Sequence, residues 1–338
     1  MKPTDFAYYL TNFLSKHLPG IEGCSANTIS SYRDAFKLLL IFAKDKEKIK
    51  EKKLNLSVID KDFIIRFLQW IENERGCSVI TRNQRLAAVH SFYLYLQGEL
   101  PDKMYRFQQI LSIPFKKQPA KTINFLSTEA VKALLCAPDT GKKSGRKHLM
   151  ILGLMYATAA RVQEIADLKV SDVMHNSCSL VKLTGKGGKS RFVPLEASVS
   201  GMLCQYLEDF LLTGSFKMTE YLFTNHSQNK LTRQGISHIL KRYSDMVRKK
   251  QPELMPETIS PHCLRHSRAV HWLQAGVELI YIRDLLGHAS IQTSEIYARI
   301  DGEMKRKALE KVSSYAFAGE IPSWQKNKSL MAWLKELN

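Results

Sequence analysis

The sequence predicts a mainly α-helical protein with one small antiparallel β-sheet, divided into two domains. Three observations predict it. Apolar residues recur at helical spacing along most of the chain. A single stretch alternates apolar and polar residues on either side of a glycine cluster. The helical periodicity also breaks once, in a proline- and lysine-bearing segment, and the 338 residues exceed what one hydrophobic core usually serves.

The helical pattern starts with "NTISSYRDAFKLLLIFAKD", where Asn27 or Thr28 is the expected N-cap and Tyr32, Phe36, Leu39, Leu40 and Ala43 share a face. The charged run "KDKEKIKEKK" then reads as a solvated loop. "DKDFIIRFLQWIENERG" opens on an acidic cap and stops at Gly76. "TRNQRLAAVHSFYLYLQGE" is expected to turn Leu86, Val89, Leu94 and Tyr95 inward and Arg82, Asn83 and Arg85 outward. Short connections among these helices predict a small bundle over 1–112. Residues 113–126 have linker composition and a basic character, and Ser127 caps the next helix.

A second domain is expected over 127–320. "SLVKLTGKGGKSRFVPL" predicts a hairpin whose tip, Gly185-Lys186-Gly187-Gly188, lifts Lys186 out of the body. It lacks the spacing of a nucleotide-binding P-loop. In "ISPHCLRHSRAVHWL", Ser260 and Pro261 make a helix start. His262 and Arg265 then share a face near a helix N-terminus, where an anion is favoured. His266 falls one step round, in a core or supporting position, and Arg268 and His271 read as surface residues. Gly287 ends the next helix, His288 leaves on the turn, and Tyr297 follows in another helical segment. "YATAARVQEIADL" puts Arg161 and Glu164 three apart near the end of an apolar helix. Residues 321–338 are expected to form an amphipathic helix with Leu330, Met331, Leu334 and Leu337 as its stripe.

Charge narrows the partners. Lys and Arg outnumber Asp and Glu by 50 to 32, a formal +18, and the excess divides to about +7 before residue 119 and about +11 after it. Basic surface in both halves points to nucleic acid. No apolar run is long enough for a membrane span, and the N-terminus lacks a signal peptide's apolar run. The six cysteines contain no C-x-x-C pair, so neither a zinc site nor a disulfide framework is expected. A cytoplasmic, nucleoid-associated protein is the expectation.

Taken in order, Arg161, Lys186, His262-x-x-Arg265, Leu286-Gly287-His288 and Tyr297 resemble the tyrosine recombinase (phage integrase) family, of the Xer-like or mobile-element type. The resemblance is strong over 127–300, and the N-terminal helices resemble that family's SAM-like core-binding domain more loosely; it implies a two-domain C-shaped clamp closing around a duplex. It implies strand cleavage and rejoining on double-stranded DNA without ATP, through a 3′-phosphotyrosine on Tyr297 and a Holliday junction. Arg161 and Arg265 would bind the transition-state charge, His262 and His288 would add donors to it or shuttle protons, Lys186 would protonate the leaving oxygen, and Glu164 would orient Arg161. No metal or other cofactor is expected, because the arginines supply the charge that metals would otherwise provide. Arg82, Asn83 and Arg85 in the first domain, and Arg233, Gln234, His238 and Lys241 in the second, are the DNA-reading candidates. A homotetramer of two dimers on DNA, joined through the 321–338 helix, is implied. A type IB topoisomerase-like nicking-closing enzyme is the alternative; a non-catalytic relative is disfavoured by the full residue set. One departure is visible: where the family usually has glycine two residues before the first arginine, this chain has Ala159.

Overall fold

A computed structural model describes residues 3–117, 124–173, 178–212, 217–287, 290 and 297, with the backbone but not the side chain of Lys186. The chain divides into two compact units, Met1–Lys121 and Thr122–Asn338. It is mainly helical, and its described strands form one two-stranded antiparallel sheet.

In the first unit, α1 (Asp5–Asn12) runs into a π-helical stretch, Phe13–Ile21, followed by α2 (Ala26–Asp45). Ser25, not Asn27 or Thr28, caps α2: its backbone is extended and its Oγ accepts from Thr28 N at 3.3 Å. α3 (Lys61–Asn73) is capped as expected, Asp60 Oδ1 accepting from Phe63 N at 2.8 Å. α4 (Val79–Glu99) and α5 (Met104–Leu111) complete the bundle. Phe13, Phe36 and Phe92 meet edge to face at its centre, with ring centroids 5.2 to 6.4 Å apart, a geometry that adds to the gain from burial.

The second unit opens with α6 (Thr128–Cys136), capped by Ser127 Oγ on Ala130 N at 3.2 Å. α7 (Lys143–Thr158) is its central helix; Ile151, Leu152, Leu154 and Met155 are fully buried, and α9 (Ala197–Asp209) and α11 (Pro261–Gln274) pack against it. α8 (Val162–Asp167) leads towards the hairpin, β1 (Leu180–Thr184) pairing with β2 (Ser190–Pro194) in the register Val181↔Val193 and Leu183↔Arg191. Val181, Leu183 and Val193 face the core, as the alternation predicts. α10 (Arg233–Lys250) and α12 (Leu279–Leu286) complete the described helices of this unit. Ser267 Oγ of α11 accepts from Leu126 N at 2.8 Å, tying the entry segment to the core.

None of the described helices is long and apolar enough to cross a membrane. His288 and the helix expected over 321–338 lie outside the described residues.

Candidate active site

The site is built where α7 gives way to α8. Arg161 and Glu164 do not end the apolar helix, as their spacing suggested; they begin the next one. α7 stops at Thr158, and Ala159 takes a left-handed conformation at φ 49°, ψ 31°. Arg161 is then the N-cap of α8, and Glu164 Oε2 accepts from the Arg161 backbone N–H at 2.7 Å. A non-glycine residue in that conformation is strained by about 1–2 kcal/mol. The position where the family pattern has glycine is therefore the one that needs it. Ala159→Gly is expected to raise the Tm by on the order of 1–3 °C, the relief of strain being partly offset by glycine's freedom in the unfolded chain; a thermal melt checks it.

Glu164 is 3% exposed and joins two guanidinium groups. Its Oε1 accepts from Arg161 Nη1 at 2.9 Å, and its two oxygens accept from Arg191 Nη1 and Nη2 at 2.8 Å each. Burial alone would raise its pKa, but the hydrogen bonds and charges of Arg191 and Arg161 outweigh it and hold the carboxyl at about 2. Arg191 also donates from Nε to Leu285 O at 2.8 Å, so the carboxylate anchors α8, β2 and the end of α12 together. Sequence reasoning missed Arg191, because the two residues that bracket it in function lie 27 positions upstream and at the end of a later helix.

Two glycines admit this cluster. A Cβ on Gly185 would stand 3.0 Å from Glu164 Oε1, and one on Gly287 would stand 3.1 Å from Arg191 Cδ. Gly287 also has a φ of 63° as the C-cap of α12. The base of the Lys186 hairpin is thereby laid against the Arg161–Glu164 pair. Gly187 and Gly188 carry positive φ at its tip.

Arg265, on the second turn of α11, is 3% exposed. It donates from Nη1 to Ala159 O at 2.7 Å and from Nη2 to Leu286 O at 2.6 Å. The turned backbone at Ala159 thus supplies one of its two anchors. Burial, and next the charge of Arg161, lower its pKa to about 10, which leaves it cationic at neutral pH. Arg161 Nη2 reaches Gly287 O at 3.4 Å. Both guanidinium groups keep further N–H donors for a ligand. His262 stands at the surface one turn before Arg265 and His266; partial desolvation by the neighbouring chain, and then the charges of Arg265 and Arg161, lower its pKa. Ser260 occupies the cap position of α11 without a side-chain capping bond.

Tyr297 is 1% exposed, packed with Ala159, Val270, Leu273, Ile282 and Leu286. Its hydroxyl lies 2.9 Å from His266 Nδ1. Burial raises its pKa while Arg265 and Arg161 act in the opposite direction. The structure thus gathers Arg161, Glu164, His262, Arg265 and Tyr297 in one place. Arg268 and His271, expected at the surface, are instead held: Arg268 lies over the rings of Tyr156 and Trp272, 4.9 and 5.1 Å from their centroids, and His271 Nδ1 bonds Tyr156 Oη at 2.8 Å.

The phage integrase family model matches residues 124–304, and its N-terminal SAM-like domain matches residues 11–99. The chain belongs to the phage integrase family. It is a tyrosine recombinase, an enzyme of site-specific DNA recombination. Among its relatives, the putative integrase/recombinase y4rC of Sinorhizobium fredii is 34% identical over 336 residues, 99% of both chains. The tyrosine recombinase XerD of Listeria innocua is 30% identical over 281 residues, 82% of this chain and 90% of that one. In fold, the recombinase resembles XerH bound to a difH substrate after cleavage, with a TM-score of 0.67, 24% identity and coverage of 88% and 83% of the two chains. It also resembles the Tn1549 transposon integrase in complex with circular intermediate DNA, with a TM-score of 0.65, 16% identity and coverage of 88% and 95%.

The DNA-reading candidates separate into two groups. On α4 of the recombinase, Arg82 and Asn83 do not point outward; they are 6% and 7% exposed. Arg82 Nη1 donates to Pro114 O at 3.2 Å; Asn83 donates to Lys116 O at 2.8 Å and accepts from Lys116 N at 3.1 Å. Both pin the segment leaving the bundle, which removes them as base readers. Arg85 is half-buried, with Nη1 on Ser31 O at 3.1 Å. Leu94, expected inside, is 59% exposed. On α10, by contrast, Arg233, Gln234, His238 and Lys241 are all exposed, opposite a buried stripe that includes Ile236, Leu240 and Tyr243.

Proposed function

We propose that this recombinase cuts one DNA strand by attack of the Tyr297 oxygen on a phosphodiester, forming a 3′-phosphotyrosine and releasing a 5′-hydroxyl. The observation that carries this reading is the buried Tyr297 phenol beside two arginines whose forks are held in place by Glu164, Ala159 O and Leu286 O. An attacked phosphodiester gains charge on its non-bridging oxygens, and fixed guanidinium groups stabilise that charge more than they stabilise the ground state. His262, with its ring open to solvent, and His288 would add donors. Lys186, on a hairpin whose base touches the arginine–glutamate pair, would protonate the leaving oxygen. The phosphotyrosine conserves the energy of the broken bond, so rejoining needs no ATP. Exchange of two strands would pass through a Holliday junction in a homotetramer, with 321–338 contacting a neighbour.

A nicked duplex carrying a recombination site tests the chemistry. The parent protein is expected to form a covalent protein–DNA complex and Tyr297→Phe none; equal complexes with both would refute the assignment. Strand exchange with the parent separates a recombinase from a topoisomerase-like enzyme, which would relax supercoils only.

In the second unit, α10 is the proposed DNA-facing helix. Arg233→Ala and Lys241→Ala are each expected to weaken binding and to reduce the log–log salt slope by about 1, the share of one neutralised phosphate. Arg82→Ala and Asn83→Ala are expected to leave that slope unchanged. Filter binding across a salt series reads both.

A further inference from the structure

We propose that His266 is the base that takes the phenolic proton of Tyr297 as the tyrosine oxygen attacks phosphorus, an assignment that rests on the phosphotyrosine reading above. Position on the helix turns His266 away from Arg265. It follows Arg265 by one residue, and so lies about 100° round α11 from it. Its Nδ1 is 2.9 Å from the Tyr297 hydroxyl, with the two ring centroids 5.7 Å apart. Tyr297 is 1% exposed, which removes bulk water as an alternative acceptor. His262, four residues earlier on the same side, has its ring centroid 6.2 Å from that of His266 and is open to solvent. The two histidines thus divide the work: His262 faces where the phosphate would lie, and His266 faces the nucleophile.

The reaction balances without a further reagent. His266 is neutral, with its proton on Nε2 and its Nδ1 lone pair towards the phenol. The Tyr297 O–H bond breaks towards Nδ1 as the oxygen–phosphorus bond forms. The bond from phosphorus to the 5′-oxygen breaks, and that oxygen takes the proton assigned to Lys186. On rejoining, the 5′-hydroxyl attacks phosphorus and gives its proton back to the Lys186 amine, the bond from phosphorus to the tyrosine oxygen breaks, and the His266 imidazolium returns its proton to that departing oxygen.

The surroundings make this base conditional on DNA. Burial first, and then the nearby His262 and Arg265, lower the pKa of His266 to about 4. His262 and Arg265 are also the groups against which the scissile phosphate would sit. An anion between them opposes their repulsion of an imidazolium, so His266 becomes more basic when substrate arrives. Tyr297 stays a hydrogen-bonded phenol until then.

The test is single-turnover formation of the covalent complex on the nicked duplex, with His266→Ala and His266→Asn beside the parent and Tyr297→Phe. DNA affinity and Tm are measured on the same proteins. Loss of the base is expected to slow cleavage by about 10²-fold or more while DNA affinity holds. Log rate in His266→Ala should then climb with pH at unit slope, where the parent is flatter, and added imidazole should restore part of the rate. Cleavage by either variant at the parental rate would overturn the assignment. A slowed variant with the parental pH profile and no response to imidazole would also overturn it, making His266 a packing residue for Tyr297. Failure of the parent to form the complex would instead remove the phosphotyrosine reading and this assignment with it.

Discussion

Glu164→Gln is expected to destabilise the catalytic unit by about 3–5 kcal/mol, the loss typical of removing one partner from a buried ion pair. The buried carboxylate lies between Arg161 and Arg191, and glutamine leaves the nearly buried Arg191 and the partly exposed Arg161 without that counter-charge. The acid limb of the stability curve should change in a defined way. The folded carboxyl titrates near 2 against an ordinary 4.5. Its contribution, roughly 3 kcal/mol, is therefore fully present above the unfolded value and is lost as pH falls through the folded one. In the glutamine variant the limb between those two pH values should flatten. Denaturant melts of parent and variant across that window measure both effects; parallel acid limbs would contradict the account. Cleavage should fall as well, since Arg161 and the end of α12 are held through the same carboxylate.

Arg265→Lys is expected to slow strand cleavage by about 10²–10³-fold, as when a fixed donor to a developing oxyanion is removed. Arginine's planar fork reaches Ala159 O and Leu286 O at once, from the α7–α8 junction and from the end of α12. A single ammonium cannot bridge both carbonyls and still present a planar pair of N–H groups to a phosphate. One buried carbonyl is left unpaired, at about 1–3 kcal/mol, so the Tm should drop too. Single-turnover cleavage and a thermal melt are the measurements. A lysine variant with parental rate would show that the charge matters and the fork does not.

Glu164 and Arg265 also mark where local sequence reading reaches its limit. The spacing His262-x-x-Arg265 on a proline-started helix, the Gly287 cap and the Gly185–Gly188 hairpin tip were legible, because helix faces and glycine turns are set within a few residues. The departure at Ala159 was legible as a substitution, but its strained backbone and its carbonyl under Arg265 were not. Arg82 and Asn83 were expected to face outward because charged and amide side chains usually face water. Their partners are backbone groups more than thirty residues later, a distance over which no periodicity carries information. Arg191 was missed for the same reason, and the position of His266 one step round its helix marked a core or supporting residue without revealing Tyr297 beside it.

The linear chain was enough for the helical class, the single hairpin and the basic character of both halves, since each follows from residue type and short-range spacing, and the order of its motifs from Arg161 to Tyr297 carried the resemblance to the family. Folding settled which polar groups are satisfied and which remain free to act. Glu164, Arg191 and the two backbone carbonyls under Arg265 are brought together from four separate elements. A buried charge is stable only with partners in the right geometry, and that geometry comes from packing across the chain, where neighbouring residues in sequence have no say.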